Sequence, residues 1–304
     1  MDNKESRITT IEKSLEEEKW YRFWDRIFRY WYHFSRNKFS VLGMSIVVLV
    51  ILLAILAPYV TPYPEHAGPF VDFKNAGQPP SIKYWVGTDT IGRDIFTRII
   101  FALRDALVIS ILVLAIAVPL GTLVGLLAGF FYRTIIDTII MRISDIFLSV
   151  PSLVLALSIA AVLKPNQTNA MIAITVMWWP WYTRLVYGMA SSIRNEYFVI
   201  AAELTGASKF HILFREILPN CLSPIFTKMA LDVGWVIIVS ASLNFVGLGT
   251  QPPKPSLGQM VSEGAKYLPE FWWMCIFPAL AIIIMILGVN LLGDGIRDML
   301  QSSR

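Results

Sequence analysis

The sequence predicts an all-α polytopic membrane protein: six transmembrane helices preceded by an N-terminal amphipathic helix lying at the membrane interface. Three observations lead there. Of 304 residues, 55% are hydrophobic and only 16% charged, against roughly 45–50% and about 25% in a soluble domain. Six runs are each apolar over the roughly 20 residues that a helix needs to cross about 30 Å of hydrocarbon. Just before the first run, aromatic and arginine side chains alternate at helical spacing. The excess of Leu, Ile and Val is too large for one buried core, but it fits an outer surface that faces lipid.

Taken in order, residues 1–19 are polar with mixed charge and carry no apolar core, so no cleavable signal peptide is expected. Trp20, Trp24, Phe28 (or Ile27), Trp31 and Phe34 then recur at helical spacing, with Arg22, Arg26, Arg29 and Arg36 between them. Rings and guanidinium groups mixed in this way suit a helix in the headgroup layer; a helix that docks on a partner is the other reading. The apolar runs follow at Phe39–Val60, Ala106–Phe131, Asp137–Leu163, Asn169–Ala190, Ser223–Gly249 and Trp272–Leu292. Pro151 and Pro180 fall inside the third and fourth and read as kinks rather than breaks. Six spans put both termini on one side. With that side cytoplasmic, 18 of the 26 lysines and arginines lie inside and 8 outside, most of the latter in one long loop. Both termini are therefore expected in the cytoplasm of a cell whose inner membrane holds the chain. Three regions result: a tail and interfacial helix over 1–38, a first span with a Pro- and Gly-rich outer loop over 39–105, and a five-span core over 106–304. The core contains a polar cytoplasmic loop at 191–222.

Several function classes are excluded by composition. Three histidines, His33, His66 and His211, are scattered over both faces, and two cysteines, Cys221 and Cys275, are too few for a structural zinc site. Neither a catalytic cluster nor a metal site is expected. No basic stripe with interleaved stacking rings suggests nucleic acid, and no P-loop sequence suggests bound nucleotide. Any energy source must lie on another subunit.

The loop from Glu196 to Asn220 reads as a helix, a turn at Gly206, a second short amphipathic helix and a proline-terminated approach to the fifth span. Ser208 is placed to cap the second helix, and Phe210, Leu213 and Phe214 to share one face. Such a face has to be buried, either on the chain's own bundle or on a cytoplasmic partner. Ionisable groups within spans are costly and are candidates by default. Asp232, with Asn244 three turns further along, is a possible lining residue of a solute pathway and suits a cationic group. Arg142 and Asp145, one turn apart, are expected to pair locally, and Arg184 to snorkel to the interface. Met177, Trp178, Trp179, Trp181 and Tyr182 cluster in the fourth span, where helix packing and lipid contact account for most such side chains.

Ala201, Ala202, Gly206 and Ile217-Leu218-Pro219 resemble the EAA loop of binding-protein-dependent ABC importer permeases. Ile200 stands where that loop has its glutamate, and Thr205 where it has leucine. Gly87-Thr88-Asp89-Thr90-Ile91-Gly92-Arg93-Asp94 resembles the GTDxxGRD block of the dipeptide/oligopeptide/nickel permeases. Asn244-Phe245-Val246-Gly247-Leu248-Gly249 with Gln251-Pro252-Pro253, and Gly293-Asp294-Gly295-Ile296-Arg297-Asp298, resemble two further blocks. Together they cover about Trp20 to Arg297 and identify the chain as a member of that family, similar to its C-type subunits. The resemblance implies a type I ABC importer permease fold and half of a translocation pathway for di- or oligopeptides, with oligosaccharides or nickel chelates as alternatives. It implies that Ala201, Ala202, Glu203, Gly206, Ala207, Ser208, Lys209, Phe210 and Leu213 couple the chain to ATPase subunits. The implied partners are a B-type permease subunit, two ATP-binding subunits that hold ATP and Mg, and an extracytoplasmic substrate-binding protein. No cofactor is then expected on this chain, which would not itself be an enzyme. An ion-coupled secondary carrier is the alternative from another class; it would want several intramembrane carboxylates where the sequence offers Asp232.

Overall fold

The computed structural model describes residues 34–301 and, ahead of them, Trp20, Trp24, Asp25, Phe28, Trp31 and Tyr32. Those six are helical, and Trp20, Trp24, Phe28 and Trp31 are exposed. The rest of the expected tail and interfacial helix lies outside the described residues. The helices are α1 (Lys38–Ile55), α2 (Ala57–Val60), α3 (Ile95–Phe130), α4 (Ile135–Ser149), α5 (Ser152–Val162), α6 (Gln167–Ile193) and α7 (Tyr197–Leu204). They continue as α8 (Lys209–His211), a π-helical stretch at Ile212–Ile217, α9 (Leu218–Phe245), α10 (Leu257–Ala265) and α11 (Trp273–Gln301). Among the described residues there is no strand, only an isolated bridge between Thr88 and Asp94.

Among the described residues, four helices are long and apolar enough to cross a membrane on their own: Lys38–Ile55, Ile95–Phe130, the continuous run Lys209–Phe245, and Trp273–Met299. The pair α4 and α5 makes a fifth if taken as one span, although it bends by 90°. The expected kink at Pro151 is thus a break. A residue before proline is pushed out of the helical region, and Val150 sits at φ −94° and ψ 134°. Pro180, by contrast, lies inside an unbroken α6. At 27 residues α6 is about 40 Å long, enough to cross, but its polar and aromatic content keeps it below the apolarity of the other spans. The expected second span also starts earlier, at Ile95, and the fifth is entered without a stop. Pro219 does not end the approach helix: it stands in the first turn of α9, where proline is tolerated, directly after a π-helical stretch closed by Leu218 N donating to the Leu213 carbonyl.

Glycines let these helices meet backbone to backbone. A Cβ on Gly121 would lie 2.4 Å from the Trp179 carbonyl, and one on Gly125 2.5 Å from the Thr183 carbonyl. The Thr183 hydroxyl donates to the Gly121 carbonyl at 3.2 Å. These small residues recur every fourth position along α3, the spacing that lets membrane helices approach closely. The same device joins α1 to α11, where a Cβ on Gly43 would stand 2.5 Å from Leu292 N.

Polar groups cluster at the two ends of the bundle. At one, the loop end, Asp89 accepts from Arg93 N at 2.8 Å and Arg93 Nε at 2.7 Å. Asp94 caps α3 by accepting from Thr97 N at 2.8 Å, and the Trp273 indole donates to the Thr88 carbonyl at 3.1 Å. The Gly87–Asp94 block is therefore a structural clasp. Asp105 joins three segments there, accepting from Gln167 at 2.6 Å and Thr250 at 2.9 Å. At the opposite, turn end, Arg194 donates to the Phe130 carbonyl, and both border a cavity shared with Glu203 of α7 and Lys209 of α8. Asp294, Arg297 and Asp298 are exposed near the end of α11.

Candidate functional site

Two features stand out. The first is the turn between α7 and α8. Gly206 has φ +83°, and its N–H donates to the Glu203 carbonyl at 3.0 Å while Ala207 N donates to Ala202 O at 3.0 Å. This pair of bonds closes α7 with a Schellman motif, which wants glycine at the left-handed position. Ser208 then caps α8, its hydroxyl accepting from His211 N at 3.2 Å. The two caps in succession give the Ala202 and Glu203 carbonyls and the His211 N–H partners within the turn.

The apolar face expected over Phe210, Leu213 and Phe214 is divided. Val199, Ile212, Leu213 and Ile217 are buried in the core shared with α3, α6 and α9. Phe210 stays 70% exposed, although its ring lies 4.5 Å from that of Phe214, and Leu204 is 84% exposed. Leu213 lies in the π-helical stretch, whose turn is wider than that of an α-helix, and is buried there. Ala201, Glu203, Ser208 and Lys209 are exposed, and Ala202 and Ala207 half-buried. Lys209 lies over the Phe131 ring at 5.5 Å, and Glu203 borders a cavity of about 360 Å³ with Arg194 and Lys209. Ile200 is 42% exposed.

The second feature is a cavity of about 400 Å³ among α5, α6 and α9, bordered by Trp178, Trp181, Lys228, Asp232 and Trp235. Asp232 is buried. Its Oδ2 accepts from Trp178 Nε1 at 2.9 Å and its Oδ1 from Lys228 Nζ at 3.1 Å. The Lys228 ammonium stands 5.8 Å from the Trp181 ring centroid and 5.4 Å from that of Tyr182. Asn244 does not reach this space. It folds over the end of α9, donating to Ser240 O at 2.9 Å and accepting from Thr250 N at 2.7 Å. The tryptophan cluster is likewise split: Met177 and Tyr182 are core, Trp179 packs edge-on against Phe147, and Trp178 and Trp181 wall the cavity.

Residues 121–304 match the family described as binding-protein-dependent transport system inner membrane component, and residues 20–80 match the N-terminal TM domain of oligopeptide transport permease C. The chain belongs to this permease family. A probable D,D-dipeptide transport system permease protein, DdpC, of Escherichia coli is 41% identical over 86% of this chain and 87% of its own length. The dipeptide transport system permease protein DppC of Alkalihalophilus pseudofirmus is 40% identical over 88% and 86%. A solved structure of the MetNI methionine ABC transporter in inward-facing conformations shares the fold, with TM-score 0.55 and 17% identity over 69% of this chain and 98% of that one. The fold is accordingly that of a type I ABC importer permease, a multi-pass membrane protein.

Within that permease fold, sequence reasoning places Arg142 opposite Asp145, whereas Asp145 pairs with Arg184 on α6. Helical spacing cannot show that, because the partner lies on another helix. Lys228 and Trp235 also escaped notice. Lys228 counts towards the positive face, yet its spacing four residues before Asp232 was the available signal of an ion pair.

Proposed function

We propose that this permease is the C-type transmembrane subunit of an ATP-driven importer of dipeptides and similar short peptides. It forms half of the translocation pathway against a B-type permease subunit. Two ATP-binding subunits dock at the turn end, which is cytoplasmic together with both termini, and they hold ATP and Mg. This chain carries no hydrolytic function of its own. An extracytoplasmic binding protein delivers peptide to the loop end. Relatives named as dipeptide permeases at about 40% identity support the solute class.

One observation carries the coupling role. The turn projects Leu204 and Phe210 outward while Val199, Ile212, Leu213 and Ile217 root it in the core of the bundle. Large apolar side chains held out on a doubly capped turn are a contact for another protein. Leu213 then acts from below, holding the turn, rather than touching the partner. The helix that leaves the turn runs unbroken from Lys209 to Phe245. Lys228 lies about 30 Å along it, so a push on the turn moves one wall of the Asp232 cavity directly. Ile200, itself exposed, presents an apolar side chain where the family motif has a carboxylate, with Glu203 exposed one turn on as the available polar group.

Reconstitution in proteoliposomes tests the reading. Dipeptide uptake is expected only with the B-type partner, both ATP-binding subunits, the binding protein and ATP. Uptake by this chain alone, driven by an ion gradient, would make it a secondary carrier.

A further inference from the structure

We propose that the cavity beside Asp232 receives the α-ammonium group of a peptide in transit, and that Lys228 is its resident stand-in; this rests on the peptide reading above. Three features point to a monocation. The Asp232 carboxylate is 4% exposed and fixed by the Trp178 indole at 2.9 Å, so it is a pre-set anion rather than a mobile one. An ammonium already occupies the place in front of it, 3.1 Å from Oδ1 and over the rings of Trp181 and Tyr182. Carboxylate and ring faces together form the cage that suits an ammonium ion. Beyond it the cavity, about 400 Å³, continues along Trp235 as apolar room for side chains, within the range of small-ligand sites.

The resident lysine explains how such a site can work in a pathway. A buried, unpaired carboxylate is costly in the empty state, and Lys228 removes that cost from one turn away on the same helix. Its side chain is 28% exposed, so it has somewhere to go. An arriving ammonium exchanges one cation for another and leaves the charge of the site unchanged. The competition also keeps binding weak, as a pathway must release what it holds. Capture of a peptide's carboxylate by Lys228 is disfavoured, because Asp232 stays fixed beside it and repels the anion.

The test uses the complete transporter in lipid nanodiscs, without nucleotide or binding protein, and equilibrium dialysis with dialanine and with N-acetyl-dialanine. Lys228→Ala is expected to bind dialanine about tenfold more tightly than wild type, by removing the competitor. Asp232→Asn is expected to bind it at least about tenfold more weakly, and N-acetyl-dialanine to respond to neither change. Trp181→Phe thins the cage without touching the ion pair and is expected to weaken dialanine about threefold, which keeps the test open if Asp232→Asn fails to assemble. Equal affinity of Lys228→Ala for the free and acetylated peptides overturns the ammonium site and leaves the peptide reading standing. Absence of binding alongside dialanine uptake in proteoliposomes does the same. Absence of both overturns the peptide reading, and the site with it.

Discussion

At Gly206 the backbone φ is +83° and an added Cβ would meet nothing within 4 Å, whereas at Gly125 the added atom would meet the Thr183 carbonyl at 2.5 Å. The two glycines are therefore needed for opposite reasons, one for conformation and one for space. Gly206→Ala is expected to cost about 1–2 kcal/mol, the left-handed penalty of an L residue, and Gly206→Asn less. Gly125→Leu is expected to cost about 1–3 kcal/mol or more through overpacking of α3 on α6. Thermal unfolding of the detergent-solubilised transporter measures both. A third substitution gauges the Asp145–Arg184 pair, whose side chains are 39% and 51% exposed. Exposed pairs are worth little, so Asp145→Asn is expected to change stability by less than about 1 kcal/mol. At this scale the caps were legible. Glycine before a Ser-x-x pattern specifies its own local geometry, and Gly206 and Ser208 do what their residue types suggest. The Asp145 partner was not, because a neighbour on another helix leaves no mark on local spacing.

The loop-end clasp shows how one element responds to acid. His66 is buried, and its Nδ1 accepts a hydrogen bond from Asp94 N at 2.8 Å. Burial lowers the imidazole below its ordinary 6.5, against the pull of Glu65, Asp94, Asp89 and Asp72. A lowered folded value means that its contribution is complete above pH 6.5 and is lost as the pH falls through the lowered value. Burial raises the Asp94 carboxyl, against its hydrogen bonds from Thr97; that group's ionisation costs stability as the pH rises, so acid relieves it and acts with the opposite sign. His66→Gln keeps an acceptor for Asp94 N and removes the imidazole titration. Amide exchange over residues 88–97 is expected to lose more protection in the wild type than in His66→Gln as the pH falls from 7 to 5. Equal losses would show that His66 has no part in it. Among the helices, α3 and α9 were plain from apolar runs, but their starts were missed by many residues. Amphipathic stretches such as Ile95–Asp105 and Lys209–Phe214 carry the polar groups of the bundle ends, and apolarity alone does not count them. The 90° break at Pro151 was legible as a proline and misjudged as a kink. Val150 adopts the extended conformation that a following proline favours, whereas Pro180 leaves α6 unbroken, and the residue type alone does not separate the two outcomes.

Over the whole molecule, the turn and the cavity lie on one continuous helix, the turn at its start and the cavity about halfway along. Helix Lys209–Phe245 is unbroken, Leu213 and Ile217 fix its lower part in the core, and Lys228 and Asp232 face the cavity. The family motif pointed to the turn, and a carboxylate inside an apolar run pointed to Asp232. The link between them needed the structure, because Pro219 reads as a stop and is not one. Deleting 203–216 is a poor probe of this arrangement, since it removes the buried Ile212 and Leu213 along with the exposed contact. Surface substitutions separate the two roles. The most direct measurement is therefore affinity co-purification of the ATP-binding subunits with the assembled permease pair, comparing wild type with Leu204→Asp plus Phe210→Asp. Both side chains are exposed, so the double variant is expected to assemble with its permease partner and keep its thermal stability within about 1 kcal/mol, yet to lose the ATP-binding subunits. Retention of those subunits at wild-type stoichiometry, with a folded permease pair, would contradict coupling through this turn.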